Sequence, residues 1–222
     1  MCGRFAVTAT PSMIASHFEL AESFELPPNY NITPSQQIPV VRIIEGERRL
    51  SFMRWGLIPH WAKDEKIGYR MINARSETVF EKPAFRNAAK SRRCLIPASG
   101  FFEWQKAGGQ KQPYYVKLRG RDLFAFAGLW ESWQKSENER VESCSILTTG
   151  ANELMLRIHD RMPVILAPTD YDLWMRPDFD VKSLSDLLRP PPSQEMSAYP
   201  VSQAVNNPRH NQPDCIVPLR LT

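Results

Sequence analysis

Residues 94–106, CLIPASGFFEWQK, govern how this chain folds. The run is apolar and aromatic, it alternates after Gly100, and it predicts a strand over Cys94–Lys106. Three more runs of the same kind follow, at Pro113–Leu118, Leu123–Trp133 and Val141–Thr148, with turn signals at Gly108-Gly109 and Gly120. Upstream, Gln37–Ile44 and Arg49–Leu57 read as a hairpin around Glu45-Gly46-Glu47. Downstream, Met162–Ala167 is strand-like, and the tail is expected to be extended at Pro200–Val205 and Cys215–Leu221.

Helices are short by comparison. Thr10 reads as an N-cap with Pro11 in the first turn and apolar Ile14 and Phe18 four apart. Further helical patterns cover Pro83–Lys90, the stretch from Asn152 to about Ile158, the segment from Thr169 through Leu173 and Trp174, and Ser183–Leu188. Strands dominate without the regular βαβα alternation of a parallel sheet. The predicted class is α+β: one domain over residues 1–222, a curved, mostly antiparallel, barrel-like sheet with short flanking helices.

Composition narrows the function classes. With 42% hydrophobic and 23% charged residues, wholesale disorder is excluded. Nineteen prolines against ten glycines, scattered along the chain, rigidify loops and stop short strands. No window reaches the ~18 consecutive apolar residues of a membrane helix, and the start lacks a basic leader with an apolar run. A protein without a membrane partner, located in the cytoplasm, is expected. The four cysteines, at 2, 94, 144 and 215, form no CxxC or zinc-finger spacing, so no metal and no cofactor are expected. Cys94, Cys144 and Cys215 lie in apolar, strand-like runs and are expected to be buried thiols. A net charge of +4 permits a polyanionic partner without requiring one.

Chemistry concentrates at residue two. Removal of Met1 leaves Cys2 with an α-amino group and a thiol on adjacent carbons. Such a 1,2-aminothiol condenses with an aldehyde to an imine, which the sulfur closes to a thiazolidine. An α-amino group titrates near ~7.7–8.0, so a useful neutral, nucleophilic fraction exists at about pH 7 without special tuning. Read alone, the position is more readily an incidental terminal cysteine. Its neighbours change the balance: extended CGRF sets Cys2 and Arg4 on one face, and Phe5 can anchor the strand in the core.

The alternation recurs in MINAR (Met71–Arg75), where Asn73 and Arg75 share a face, and in GFFEW (Gly100–Trp104), where Glu103 lies on the face of Phe101. Asn73 is equally a sheet-edge hydrogen-bonder, and Glu103 equally an exposed strand residue. In IHDRMP (Ile158–Pro163), His159 sits at a helix end; capping, or pairing with Asp160, explains it as well as catalysis. Arg86, Lys90, Arg92 and Arg93 form a basic stretch that a solvated helix face accounts for.

CGRF, YNITP (Tyr30–Pro34), WGLIPHW (Trp55–Trp61), INARSET (Ile72–Thr78), PASGFFEW (Pro97–Trp104), HDRMP (His159–Pro163) and PVSQAVNN (Pro200–Asn207) occur in that order. In this the chain resembles the SRAP family, the SOS-response-associated peptidase proteins, over nearly its whole length. The resemblance implies a sensor of abasic sites in single-stranded DNA that shields them by a thiazolidine between Cys2 and the ring-opened sugar aldehyde. It implies Cys2, Asn73, Glu103 and His159 as the active site, lyase-like covalent chemistry on DNA, and autoproteolytic release of Met1 as the meaning of peptidase, with other peptidase substrates left open. It further implies Arg4 and Arg75 on flanking phosphates, Pro34 and Trp61 wedged or stacked against bases, and Thr148 at the DNA backbone, in a monomeric, nucleoid-associated protein. Trp61 could equally be a core tryptophan. Ser99 and His60 depart from the family pattern, the second beside the expected stacking residue.

Two rivals remain open on sequence. An N-terminal-nucleophile amidohydrolase also begins Cys-Gly, but an Asn-Gly block to build its oxyanion hole is missing here. A non-covalent single-strand-binding module would need no Cys2 chemistry at all.

Overall fold

The computed structural model describes residues 2–177 and 181–219. Its strands run β1 (Phe5–Val7), β2 (Asn29–Ile32), β3 (Gln37–Ile44), β4 (Glu47–Trp55), β5 (Asn73–Arg75), β6 (Arg93–Ala98), β7 (Gly100–Ala107) and β8 (Gln110–Leu118). There follow β9 (Phe124–Ser136), β10 (Glu139–Gly150), β11 (Arg161–Pro163), β12 (Ile165–Leu166) and β13 (Met196–Pro200). The α-helices are α1 (Pro11–Phe18), α2 (Arg86–Ser91), α3 (Tyr171–Met175) and α4 (Val181–Leu187).

Five strands close into a barrel-like ring in the order β3-β4-β10-β9-β6. All its pairings are antiparallel except β10 with β4, where Cys144 lies opposite Trp55. A second sheet runs β13-β8-β7-β1-β2. This is the single-domain α+β architecture, mostly antiparallel with short helices, that the strand-rich pattern leads one to expect. Phe5 of β1 joins the two parts: its ring packs edge-on against Trp55 at 5.2 Å and Phe126 at 5.7 Å. The short strand carrying the N-terminus is thus pinned into the core three residues after Cys2.

Local signals work where the chemistry is local. The Thr10 hydroxyl accepts from the Met13 N–H at 3.3 Å and α1 buries Ile14 and Phe18. The β3–β4 hairpin turns at Glu45 and Gly46, both with positive φ. Cys94, Cys144 and Cys215 are buried.

Three expectations need correction. Cys94–Lys106 is not one strand: it breaks at Ser99, whose N–H donates to Ala6 O at 2.8 Å as the chain leaves the barrel for the second sheet. Gly100 makes the crossing possible, because a Cβ there would lie 2.3 Å from the Tyr115 ring. Met162–Ala167 likewise divides into β11 and β12 at Val164, which donates instead to Leu147 O. The tail is largely not extended. After β13, Ser202 caps a 3₁₀ turn at Gln203–Asn206 and another follows at Pro213–Ile216; Arg220 and Leu221 lie outside the described residues. Polar side chains outcompete strand pairing here: Asn31 Nδ2 donates to the carbonyls of Val205, Asn207 and His210 at 3.3, 3.0 and 2.6 Å.

Two smaller differences share that cause. Asn152 caps only a single 3₁₀ turn, Met155–Arg157, through its Oδ1. Arg93 is no solvated helix residue: it is buried and donates to the carbonyls of Ala89, Lys90, Trp174 and Arg176, tying off the ends of α2 and α3.

Candidate active site

The two sheets deliver four side chains to one place. Phe5 fixes β1 between β2 and β7, and the Phe102 N–H closes on Arg4 O at 2.9 Å. Cys2, just ahead of β1, is fully buried, and its thiol points at Arg4 O at 3.9 Å. Asn73 comes from β5, held parallel to β10 opposite Ile146. Its Nδ2 donates to Cys2 O at 2.7 Å, which fixes the backbone of the would-be nucleophile. Its Oδ1 is buried without a hydrogen-bond partner among the described residues. Such an acceptor costs free energy until a donor arrives.

Glu103 points inward from β7 and is 3% exposed, so the reading of it as an exposed strand residue is overturned. Alternation predicted its face correctly: Phe101 joins the main core, while Phe102 and Trp104 pack in a second cluster with Tyr115. Burial raises the Glu103 carboxyl above the usual carboxylate range, and His159 works against that rise. Burial, reinforced by Glu103, also lifts the Cys2 thiol far above the ordinary thiol range. The resting sulfur is therefore a neutral S–H.

His159 follows the 3₁₀ turn Met155–Arg157, and its N–H bonds Met155 O at 2.8 Å. Two groups compete for Nδ1, each at 3.0 Å: the Arg161 N–H, a donor, and Asp160 Oδ1, an acceptor. The backbone N–H belongs to strand β11, whereas the Asp160 side chain is 83% exposed and shares its oxygen with solvent. Nδ1 is thus the acceptor, and the neutral ring carries its proton on Nε2. Glu103 and His159 line a cleft of about 390 Å³ together with Trp104, Lys106, Lys111 and Asn206. A larger cleft, about 580 Å³ beside α1 and Arg121, contains none of the four.

The expected DNA-contacting residues are placed less uniformly. Arg75 is exposed at the end of β5, and Trp61 is 51% exposed, which removes the core-tryptophan reading. Pro34 is half-buried in the turn after β2, which the Ser35 N–H ties to Trp55 O at 2.8 Å. Arg4 is already engaged: its Nη1 donates to Asn31 Oδ1 at 2.7 Å and Val205 O at 2.5 Å. Thr148 is fully buried, and its carbonyl and hydroxyl accept from Arg161 Nη2 at 2.6 and 3.3 Å.

Arg161 is the residue that motif reading passed over. It grips Glu77 with both Nη atoms, bonds Thr148, and supplies the N–H that orients His159. Its place two residues after His159 was the available signal. His60 pairs with buried Glu131 at 3.4 Å, which Arg92 also holds at 2.8 Å. As for metals, His210, Asp214 and Cys215 bring possible ligand atoms within 4.8 Å of one another. The His210 Nε2–Asp214 Oδ1 contact of 2.7 Å is a hydrogen-bonding distance, and the Arg4 cation acts on Cys215, which disfavours a second positive charge.

The Asn73 amide thus bonds Cys2, the Glu103 carboxyl acts on the Cys2 thiol, and His159 acts on Glu103 beside the cleft that the last two line. The chain belongs to the SRAP family: the family model "SOS response associated peptidase" matches residues 1–208. It is 46% identical to Abasic site processing protein YoqW of Bacillus subtilis over 221 residues, covering 97% of this chain and 99% of that one. Abasic site processing protein HMCES of Xenopus tropicalis is 32% identical, covering 100% of this chain and 79% of its own. An X-ray structure of a Bacteroides thetaiotaomicron protein superposes with a TM-score of 0.88 at 28% identity, covering 99% of this chain and 100% of that one.

Proposed function

We propose that this chain senses abasic sites in single-stranded DNA and shields them by a covalent thiazolidine formed at Cys2. The observation that carries this reading is the burial of Cys2 with its carbonyl held by Asn73 and Glu103 near enough to act on its thiol. Release of Met1 comes first, because only then is the Cys2 nitrogen a free amine. The amine adds to the C1′ aldehyde of the opened sugar and water leaves, giving an imine. The Cys2 sulfur then adds to the imine carbon while the S–H proton ends on nitrogen, closing the five-membered ring. No oxidant is consumed.

The side chains fit these steps. A carboxyl whose pKa is lifted by burial holds a proton closer to neutral pH, so Glu103 can deliver one to the departing oxygen and take one from the thiol. Sulfur attack follows imine formation, because ring closure needs the electrophilic imine carbon in place. The Nε2–H of His159 is the donor for the sugar ring oxygen, and the vacant Oδ1 of Asn73 accepts from the amine. Ring closure removes the imine before it can acidify C2′ and break the strand. Arg75 and the remaining donors of Arg4 would meet phosphates, Trp61 and Pro34 would meet bases, and Thr148 would act from beneath Arg161. We place residues 1–222 in one SRAP-like domain that works as a cytoplasmic, nucleoid-associated monomer.

The test is incubation of the Met1-free protein with an abasic single-stranded oligonucleotide. A conjugate resistant to SDS and heat is expected, absent with intact DNA and absent for Cys2→Ala. Normal cross-linking by Cys2→Ala would end the proposal.

A further inference from the structure

One basic feature beside the cleft is unaccounted for by these steps. Lys106 on β7 and Lys111 on β8 stand directly opposite each other in the antiparallel register. Residues so paired share a face, and like charges in that position repel. Neither lysine has an ion-pair partner among the described residues, whereas Lys66, Lys117 and Lys135 each have a carboxylate within 3.9, 3.8 and 2.7 Å. Both are exposed, and both line the cleft that Glu103 and His159 head.

The lysines are also held in place. The pairings of β7 with β1 and of β8 with β13 end at Phe101 and Tyr114, so the hairpin projects beyond them as a two-stranded ribbon. Two side-chain bonds brace it there. Gln105 Nε2 donates to Arg157 O at 2.8 Å, in the turn that carries His159, and Gln203 Nε2 donates to Lys111 O at 2.9 Å. Trp104, on the face of Lys106 and bonded through Nε1 to Asn206 Oδ1 at 2.7 Å, floors the run between. At a strand rise of ~3.4 Å per residue, Lys106 lies about 10 Å along the strand from Glu103. A mutually repelling, braced and unpaired pair of cations at that distance fits an anion that arrives from outside.

We propose that Lys106 and Lys111 form a phosphate clamp for the single-stranded DNA backbone on one flank of the Glu103–His159 cleft. This rests on the proposed function for the identity of the strand, and it adds the direction in which that strand leaves the site.

The test uses a labelled oligonucleotide carrying a tetrahydrofuran abasic analogue, which has no aldehyde and reports non-covalent binding alone. The slope of log K against log[salt] is measured for the wild type, for Lys106→Gln/Lys111→Gln and for Lys106→Arg/Lys111→Arg. Each single-strand phosphate that is no longer neutralised lowers the slope by about 0.7. The Gln pair should lower it by about 0.7 to 1.4, for one shared phosphate or two, and the Arg pair should keep it. Cross-linking to a true abasic oligonucleotide should need more DNA to reach half its maximal yield in the Gln pair, and no more than the wild type in the Arg pair. An unchanged slope in the Gln pair overturns the clamp while leaving the Cys2 chemistry standing. Conversely, a wild type that never cross-links sinks the chemistry, and the slope still reports on the lysines. Folding is not the weak point, since the Gln pair removes a repulsion and its melting temperature should hold or rise.

Discussion

Phe5→Ala separates anchoring from chemistry. Phe5 is fully buried, meets Trp55 and Phe126 edge-on, and carries no group that could take part in the reaction. Truncating a buried Phe to Ala costs about 3–5 kcal/mol, the transfer and cavity terms together. For a chain of this size each kcal/mol moves Tm by about 2–4 °C, so a fall of roughly 6–20 °C is expected by calorimetry. A local effect should add to the global one. β1 is only Phe5–Val7, and its pairings to Ile32 and Phe101 both run through Phe5, so the strand that carries Cys2 loses its pin. Cross-linking is then followed well below both melting temperatures, where both proteins are folded. The rate per folded molecule should drop by an order of magnitude or more, and Phe5→Leu should recover much of it. If Tm falls as expected but the rate per folded molecule matches the wild type, Phe5 does not order the N-terminus. An unmoved Tm would refute the packing itself.

Glu103 and Trp61 give two further expected outcomes. Burial raises the Glu103 pKa in the folded state, so the protonated form is favoured by folding. That contribution is complete below the unfolded carboxyl pKa and is lost as pH rises through the folded one. Glu103→Gln should therefore lose cross-linking yet gain in Tm relative to the wild type at pH 8, with the gain shrinking at pH 4; a difference independent of pH would contradict the burial penalty. Trp61→Ala should leave stability within about 0.5 kcal/mol, because the ring is 51% exposed. If the ring stacks on a base it should weaken single-strand binding by about 1–3 kcal/mol, roughly 5- to 150-fold by fluorescence anisotropy, and unchanged affinity would remove it from the interface.

Much of the molecule was legible one element at a time. Caps, turns and period are encoded within a few residues: Thr10 with Pro11 starts α1, Glu45-Gly46 turns the β3–β4 hairpin, and alternation in MINAR and GFFEW assigns each side chain to a face. The ordered motifs beginning at CGRF also identified the family and singled out Cys2, Asn73, Glu103 and His159 as candidates. Period, however, says which face a side chain takes and not what covers that face. Whether Glu103 is wet or dry, and whether Thr148 meets solvent, depended on distant segments stacking there. Closure of the barrel through the parallel β10–β4 pair, the break at Ser99 between two sheets, and the commitment of Arg4 to Asn31 and Val205 are all long-range pairings. They join residues far apart in the chain, where no local propensity operates and only the geometry of the folded core chooses the partner.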